Sequence, residues 1–477
     1  MTRWQPLVGI EVHVQLRTGR KLFCADRAAF GADPNTHVCP VCLGLPGALP
    51  TLDPAAVRLA VRTGLALGCS IHERSVWVRK NYFYPDLPKG YQITQFHEPL
   101  ATSGSVEFDG VDGPATVRIR RVHMEEDAGK SVHDRLPGAT AVDLNRAGIP
   151  LVEIVTEPDL HDPANVRLFL QSLKRVLEYT GVSDCSMEEG SLRVDANVSI
   201  RRAGDPIRNA KTEIKNVNSF ASIERALEME ITRQTEVVEA GGSIHSETLL
   251  WDDHRSTLRS MRSKEQHHDY RYFPEPDLPP LRLTAEVFEA ERKLLPELPR
   301  ARAARFRDTL GLSSYDADVL TQTAAGADYF EEVAAGCGDS KTAANWVMGP
   351  IQALMKAEKA SPADFRVRPA DIIELLRLLA EGAISDSAAK KVLRCMLQES
   401  RPATEIVSSR GLEQVRDHDQ LTAWVEEVVR EHRDEVERYR AGETRLLGFF
   451  VGRVMRRSGG TADPRQVSDL LRRSLSA

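Results

Sequence analysis

The residues best suited to chemistry in this chain are carboxylates and histidines on short alternating segments, a set suited to a hard divalent cation. In "RVHMEEDAGKSVHD", residues 121–134, four carboxylates and two histidines crowd around Gly129-Lys130-Ser131. That triplet looks like the end of a phosphate-cradling loop. Such a loop needs a glycine where Met124 stands and an apolar strand leading in, whereas "ATVRIRRVHMEED" is largely charged. If phosphate chemistry happens here, the acidic residues must carry it through a metal ion. In "LVGIEVHVQL", residues 7–16, Glu11 and His13 share a strand face, so one ion could meet both. The adjacent Glu125 and Glu126 send one side chain to each face of a regular strand, so only one of them reaches that ion. Glu11, His13, Glu125 and Glu126 are the candidate magnesium ligands.

Two further constellations stand out. Lys80 and Lys89 lie in "RKNYFYPDLPKGYQITQFHEPL", residues 79–100, among aromatics, prolines and Gly90. A cation on an ordered loop of this kind could neutralise phosphate or carboxylate; the alternative is a packed surface loop. Cys39 and Cys42, in Cys-Pro-Val-Cys, have zinc-knuckle spacing, with Cys24 upstream. A closed structural site needs a fourth ligand, which Asp26 or His37 could supply, or none exists.

These residues need a sheet to hold them. In residues 7–16, Val8, Ile10, Val12, Val14 and Leu16 oppose Glu11, His13 and Gln15. In "SLRVDANVSIR", residues 191–201, Leu192, Val194, Val198 and Ile200 oppose Arg193, Asp195, Asn197 and Arg201; Glu213 and Lys215 flank Ile214 in the same way. Repetition of this pattern predicts an apolar core beneath a face that is either a concave polar floor or an ordinary half-solvated sheet surface. Two helices should cover the core, one from Asp162-Pro163 to Gly181 and one from Ser219 to Gly241-Gly242.

At 477 residues the chain exceeds a single core, and roughly three domains are expected. The texture turns helical near residue 292, after the proline-rich "YFPEPDLPPLRL", with a weaker boundary near 398–411. No apolar run approaches a membrane span, no export signal is evident, and 7 cysteines are too few for a disulfide framework, which points to reducing cytosol. A net charge of −6 gives no global pull on nucleic acid. Any RNA contact needs a local patch, and Arg445, Arg453, Arg456, Arg457, Arg465, Arg472 and Arg473 supply one at the C-terminus.

The ordered blocks "GIEVHVQL", "RKNYFYPDLPKGYQITQF", "HMEEDAGKS", "DLNRAGIPLVEIVTEPD", "MEEGSLRVDANVSIR", "TEIKNVNSF" and "DYRYFPEPDLPPL" resemble the B subunits of aspartyl/glutamyl-tRNA amidotransferases, and the helical remainder is similar as well. The resemblance implies an α+β fold. A largely antiparallel, glutamine-synthetase-like cradle would span 1–291, an all-α domain 292–405 and a tRNA-binding tail 406–477. It implies ATP and Mg²⁺, misacylated Glu-tRNA(Gln) or Asp-tRNA(Asn) as substrate, a glutaminase A subunit and a small C subunit. Carried over by position, Glu11, His13 and Glu125 would hold the metal with Glu126 beside them. Lys80 would meet phosphate or substrate carboxylate, with Lys89 near the nucleotide. Asp195 and Glu213 would orient nucleotide, metal or ammonia. Zinc-bearing relatives carry a further cysteine where this chain has Asp26. No nucleophile of the Cys/His or Gly-x-Ser-x-Gly type is evident, so ammonia would have to come from a partner. The competing reading is a non-catalytic RNA-binding scaffold with structural acids.

Overall fold

Alternation decides the first strand, β1 (Trp4–Gln15): Val8, Ile10, Val12 and Val14 are fully buried or nearly so, while Glu11, His13 and Gln15 are only partly covered. The computed structural model describes residues 4–261, 270–415 and 417–476, and the side chains of 133–136, His133 and Asp134 included, lie outside the described residues. The other strands are β2 (Trp77–Asn81), β3 (Tyr91–Gln95), β4 (Ala101–Gly110), β5 (Gly113–Glu126), β6 (Pro150–Thr156), β7 (Leu192–Arg202), β8 (Thr212–Val217), β9 (Glu247–Asp252), β10 (Thr257–Ser260) and β11 (Phe273–Pro274); β4, β7, β8 and β9 alternate in the same way, whereas β6 is buried throughout. Together with Ser70–Ile71 they form a 12-stranded sheet ordered β10-β9-β8-β7-β1-β6-β5-β3-β2-β11, with β4 pairing on β5. Neighbours are antiparallel except β8 and β9. The largely antiparallel sheet expected from the alternation is present, and the molecule is a mixed α+β protein.

Register aligns the polar residues into rows. One row runs His123–Glu153–His13–Arg193 across β5, β6, β1 and β7, and a second runs Arg121–Val155–Glu11–Asp195. A slip of one residue in β1 would send Glu11 and His13 into the core, so the buried valines fix this register.

Helices α1 (Pro54–Ala66), α2 (Pro163–Tyr179) and α3 (Phe220–Glu239) contribute to the core beneath the apolar face. In α2, Asp162 Oδ1 accepts from the Ala164 and Asn165 amides and Pro163 opens the helix, as the sequence predicts. Ser219 caps α3 through the Ser222 amide.

The chain divides into two compact units, Met1–Arg300 and Ala301–Ala477. The helix Ala285–Lys293 belongs to the first, where its buried Glu291 holds Arg62 of α1 at 2.7 Å. The second unit is helical and carries two separate cores. One is centred on Phe306, Phe330 and Leu375, the other on Leu421, Phe450 and Leu471.

Candidate functional site

A cavity of about 470 Å³ opens over the polar face of the sheet in the first unit. Glu11 and His13 reach it from β1, Lys80 from β2, Glu125 from β5, Asp195 from β7 and Glu213 from β8. Six of the residues singled out from the sequence thus converge on one basin, although more than 200 positions separate the first from the last.

Its densest part is a cluster of two histidines and two carboxylates. His13 Nε2 lies 3.5 Å from Glu125 and 3.6 Å from Glu153, while His123 Nε2 lies 3.1 Å from Glu153 and 3.8 Å from Glu125. Thr94 Oγ1 donates to Glu125 at 3.3 Å. Burial opposes charge on His123, Glu125 and Glu153, but the attraction within the cluster wins. Glu153 and Glu125 raise His123 to about 9, and the histidines, with Lys80 beyond them, hold Glu125 and Glu153 below the ordinary carboxylate value. Two ionised buried carboxylates are expensive to keep in a fold without a function. The ligand atoms of His13, Glu125 and Glu153 lie within 4.8 Å of one another, a spacing that fits one divalent cation. Magnesium, which takes one or two protein carboxylates and fills its shell from water and phosphate, suits this donor set.

Glu11 shares the cavity but stands apart from that triple. Asn197 Nδ2 donates to it at 3.0 Å, and burial, then Glu153 and Glu213, push its carboxyl upward. Lys215 Nζ bridges Asp195 at 3.2 Å and Glu213 at 3.1 Å, and Thr248 Oγ1 donates to Glu213 at 3.0 Å. Lys80 Nζ sits 4.8 Å from the Tyr270 ring centre. Burial works against its charge, and Glu125 more than compensates.

Two expectations are corrected. Glu126 does not join the metal group: the pleat that turns Glu125 into the cavity turns Glu126 to the other face, where the Ile93 amide donates to it at 2.9 Å. Lys89 pairs with Glu126 there and is not among the cavity residues. Sequence reasoning missed Glu153 and His123. Glu153 is the one charged residue within the apolar strand "PLVEIVT", and His123 stands two residues before Glu125 on the same face. Those placements were the available signals.

The cysteines form a second cluster. Ligand atoms of Cys24, Asp26, Cys39 and Cys42 lie within 4.8 Å of one another, so Asp26, not His37, is the fourth member. Cys42 Sγ lies 3.2 Å from Asp26 and 4.0 Å from Cys39 Sγ, and accepts the Cys39 amide at 3.1 Å. Hydrogen bonding from Cys24, with the nearby Lys21 ammonium, brings the Cys42 thiol down to about 6. Three thiolates and a carboxylate exceed the charge of Zn²⁺ by two, and fully buried Lys21, 3.6 Å from Cys42 Sγ, offsets part of that excess. The donor set fits a structural zinc.

A family model described as the GatB/GatE catalytic domain matches residues 6–289, and one described as the GatB domain matches 328–475. The chain is 49% identical over 472 residues to the B subunit of the aspartyl/glutamyl-tRNA(Asn/Gln) amidotransferase of Myxococcus xanthus, covering 99% of this chain and 98% of that one. It is 49% identical to the protein of the same name from Moorella thermoacetica, over 99% of this chain and all of the other. Against the one from Anaeromyxobacter sp. strain K the figure is 50%, over 99% of each chain. Full-length similarity at this level, on a sheet whose register gathers the family's motifs around one cavity, settles the assignment: the chain belongs to the GatB family, the B subunits of the tRNA-dependent aspartyl/glutamyl amidotransferases.

Proposed function

We propose that the cavity activates the side-chain carboxylate of glutamate or aspartate esterified to tRNA, with ATP as phosphoryl donor and Mg²⁺ held by His13, Glu125 and Glu153. The observation that carries this reading is the convergence of those three ligand atoms within 4.8 Å, in the cavity that also holds Lys80, Asp195 and Glu213. The antiparallel polar-floored sheet supports the glutamine-synthetase-like cradle.

Ammonia cannot displace oxide from a carboxylate, so a better leaving group is needed. A substrate carboxylate oxygen attacks the terminal phosphorus of ATP, an O–P bond forms, the bond to the bridging oxygen breaks, and ADP leaves. The ammonia lone pair then adds to the acyl carbon, the C–O bond to phosphate breaks, and nitrogen sheds a proton to leave the amide. Bound Mg²⁺ would supply charge neutralisation that lets one anion approach another. Lys80, kept charged by Glu125, meets the incoming phosphate or carboxylate. Asp195 and Glu213, tethered by Lys215, orient the ammonia and take its proton. The cavity walls keep water from the acyl phosphate.

The remaining assignments follow the family. A glutaminase A subunit supplies ammonia, a small C subunit joins the assembly, and the C-terminal segment 406–477 grips tRNA. Zinc at the cysteine cluster braces the cradle, and the seven free cysteines suit reducing cytosol.

Glu125→Gln and Glu153→Gln, each in the assembled complex, test the reading. Loss of misacylated-tRNA-dependent ATP hydrolysis with tRNA binding retained is expected. Unchanged turnover would favour the scaffold reading instead. Deacylating the product tRNA and identifying glutamine or asparagine defines the substrate.

A further inference from the structure

The cavity holds a cation that the reaction scheme above does not use. Arg121, on β5, lines the same basin as Glu125 and stands in the row that continues through Val155 and Glu11 to Asp195. Its neighbours in charge are otherwise engaged: Lys215 is held between Asp195 and Glu213, and His123 against Glu153. Among the described residues Arg121 makes no ion pair within 4.0 Å, although the cavity is lined by five carboxylates. Its Nε is buried and has no hydrogen-bond acceptor. A buried N–H left without an acceptor is costly, and a guanidinium has five donors to satisfy.

The group is nonetheless held in place. Its guanidinium carbon lies 5.3 Å from the centre of the Phe96 ring, and Phe96 stacks on Tyr272 at 4.2 Å with an interplanar angle of 6°. An aromatic shelf thus orients a planar fork that makes no ion pair among the described residues, in a basin where Lys80 rests against the adjoining Tyr270 ring. A fork of this kind suits an oxyanion with two coplanar or tetrahedral oxygens, and an ammonium such as Lys80 offers only a point charge.

We propose that Arg121 is a phosphoryl-binding residue, its guanidinium taking the oxygens of the nucleotide's terminal phosphate from the row of the sheet next to the one that holds His13 and Glu153. The assignment rests on the cavity being the activation site. It adds to that reading a residue that neutralises the phosphate beside the metal group. A phosphoryl group entering a basin lined by carboxylates needs cations not already spent on those carboxylates, and Arg121 and Lys80 are the two that remain.

The test compares Arg121→Ala, Arg121→Lys and Glu125→Gln in the assembled complex, using ATP, misacylated tRNA and added guanidinium chloride at millimolar concentration. Arg121→Ala is expected to raise KM for ATP about 10- to 100-fold and to lower kcat for ATP hydrolysis, with tRNA affinity unchanged. Guanidinium should recover part of the loss. Arg121→Lys should fall between, since it keeps the charge and loses the fork. A KM for ATP within about twofold of the parent in both Arg121 variants, with Glu125→Gln inactive, would overturn the assignment and leave the activation site standing. Normal ATP kinetics in all three variants would overturn both. Loss of tRNA affinity with ATP kinetics intact would overturn it too, because the fork would then serve the aminoacyl end. Loss of activity in Arg121→Ala that guanidinium does not relieve, alongside a lowered melting temperature and a fully active Arg121→Lys, would assign it a structural role and also overturn the proposal.

Discussion

At the scale of single residues, the cysteine cluster makes the plainest prediction. Purified protein should carry close to one equivalent of zinc, and Cys42→Ser should lose it and melt at lower temperature; less than a tenth of an equivalent in the parent would reduce the cluster to a folded loop. Lys21→Met removes the buried ammonium beside Cys42 and should weaken zinc about 10- to 100-fold, the usual effect of losing a partner outside the ligand set. Burial pushes the Cys69 and Cys185 thiols up to about 12, so alkylation of the native protein near pH 8 should leave both unlabelled by mass spectrometry. The candidate metal-binding residues were legible from spacing only in part. His13 and Glu125 announce themselves because polar residues interrupt a period-two apolar pattern. Glu153 hides because β6 is buried along its whole length, so "PLVEIVT" reads as a core strand with one odd member. Its role depends on lying between His13 and His123, a pairing across strands that period-two reading of one segment does not contain. Arg121 hides for a different reason: in "RIRRVHMEE" it is one of several arginines, and only the fold separates it from Arg118 and Arg120, which pair with Asp159 and Glu157.

At the scale of elements, the same pleat that fixed Glu125 also decided Glu126, and the alternation rule foresaw that only one would reach the ion. The segment that first suggested a nucleotide loop owes its glycine to packing. A Cβ on Gly129 would lie 2.8 Å from Leu144 Cδ2 and 3.0 Å from the carbonyl oxygens of both Asp143 and Asp86. Two of those three neighbours are backbone and cannot yield, so Gly129→Ala should destabilise by roughly 1–3 kcal/mol, read as a lower denaturation midpoint with slope unchanged. Where β5 leaves β6, Asp159 holds Arg118 and Glu157 holds Arg120. Those hydrogen bonds lower both carboxyls from their ordinary values of 3.8 and 4.5. A lowered carboxyl contributes stability that is complete above its ordinary value and is lost as pH falls through the lowered one. Stability should therefore decline below about pH 4, and Asp159→Asn with Glu157→Gln should flatten that limb. Both pairs are largely exposed and screened by solvent, so the combined effect should be small in stability curves taken between about pH 2 and 6.

At the scale of the whole molecule, the shift in texture near residue 292 was readable because helical spacing replaces alternation. The division within the helical part was less so, since it rests on which apolar residues meet. Leu421, Val425, Phe450, Val454, Val467 and Leu471 close a core of their own, distinct from the one around Phe330 and Leu375. The cavity lies wholly in the unit Met1–Arg300, so chemistry and grip on tRNA should separate by mutation. Not all C-terminal arginines are equally disposed to meet RNA. Glu431 holds Arg457 at 2.9 Å, Asp469 holds Arg472 at 3.4 Å, and Arg453 lies 5.0 Å from the Phe449 ring centre. Arg445, Arg456, Arg465 and Arg473 form none of the ion pairs found among the described residues and remain for binding phosphate. Replacing these four by Ala should weaken tRNA binding uniformly across sequences. It should also reduce the dependence of log K on log salt by roughly 0.7–0.9 for each phosphate no longer neutralised. Misacylated-tRNA-dependent ATP hydrolysis at saturating tRNA should keep its kcat, because the cavity proposed for the carboxylate, the phosphate and the ion lies in the other unit. An unchanged salt slope would remove these arginines from the tRNA interface, and a kcat that falls with them would mean that tRNA seated on this module is needed to bring its aminoacyl end correctly into the cavity.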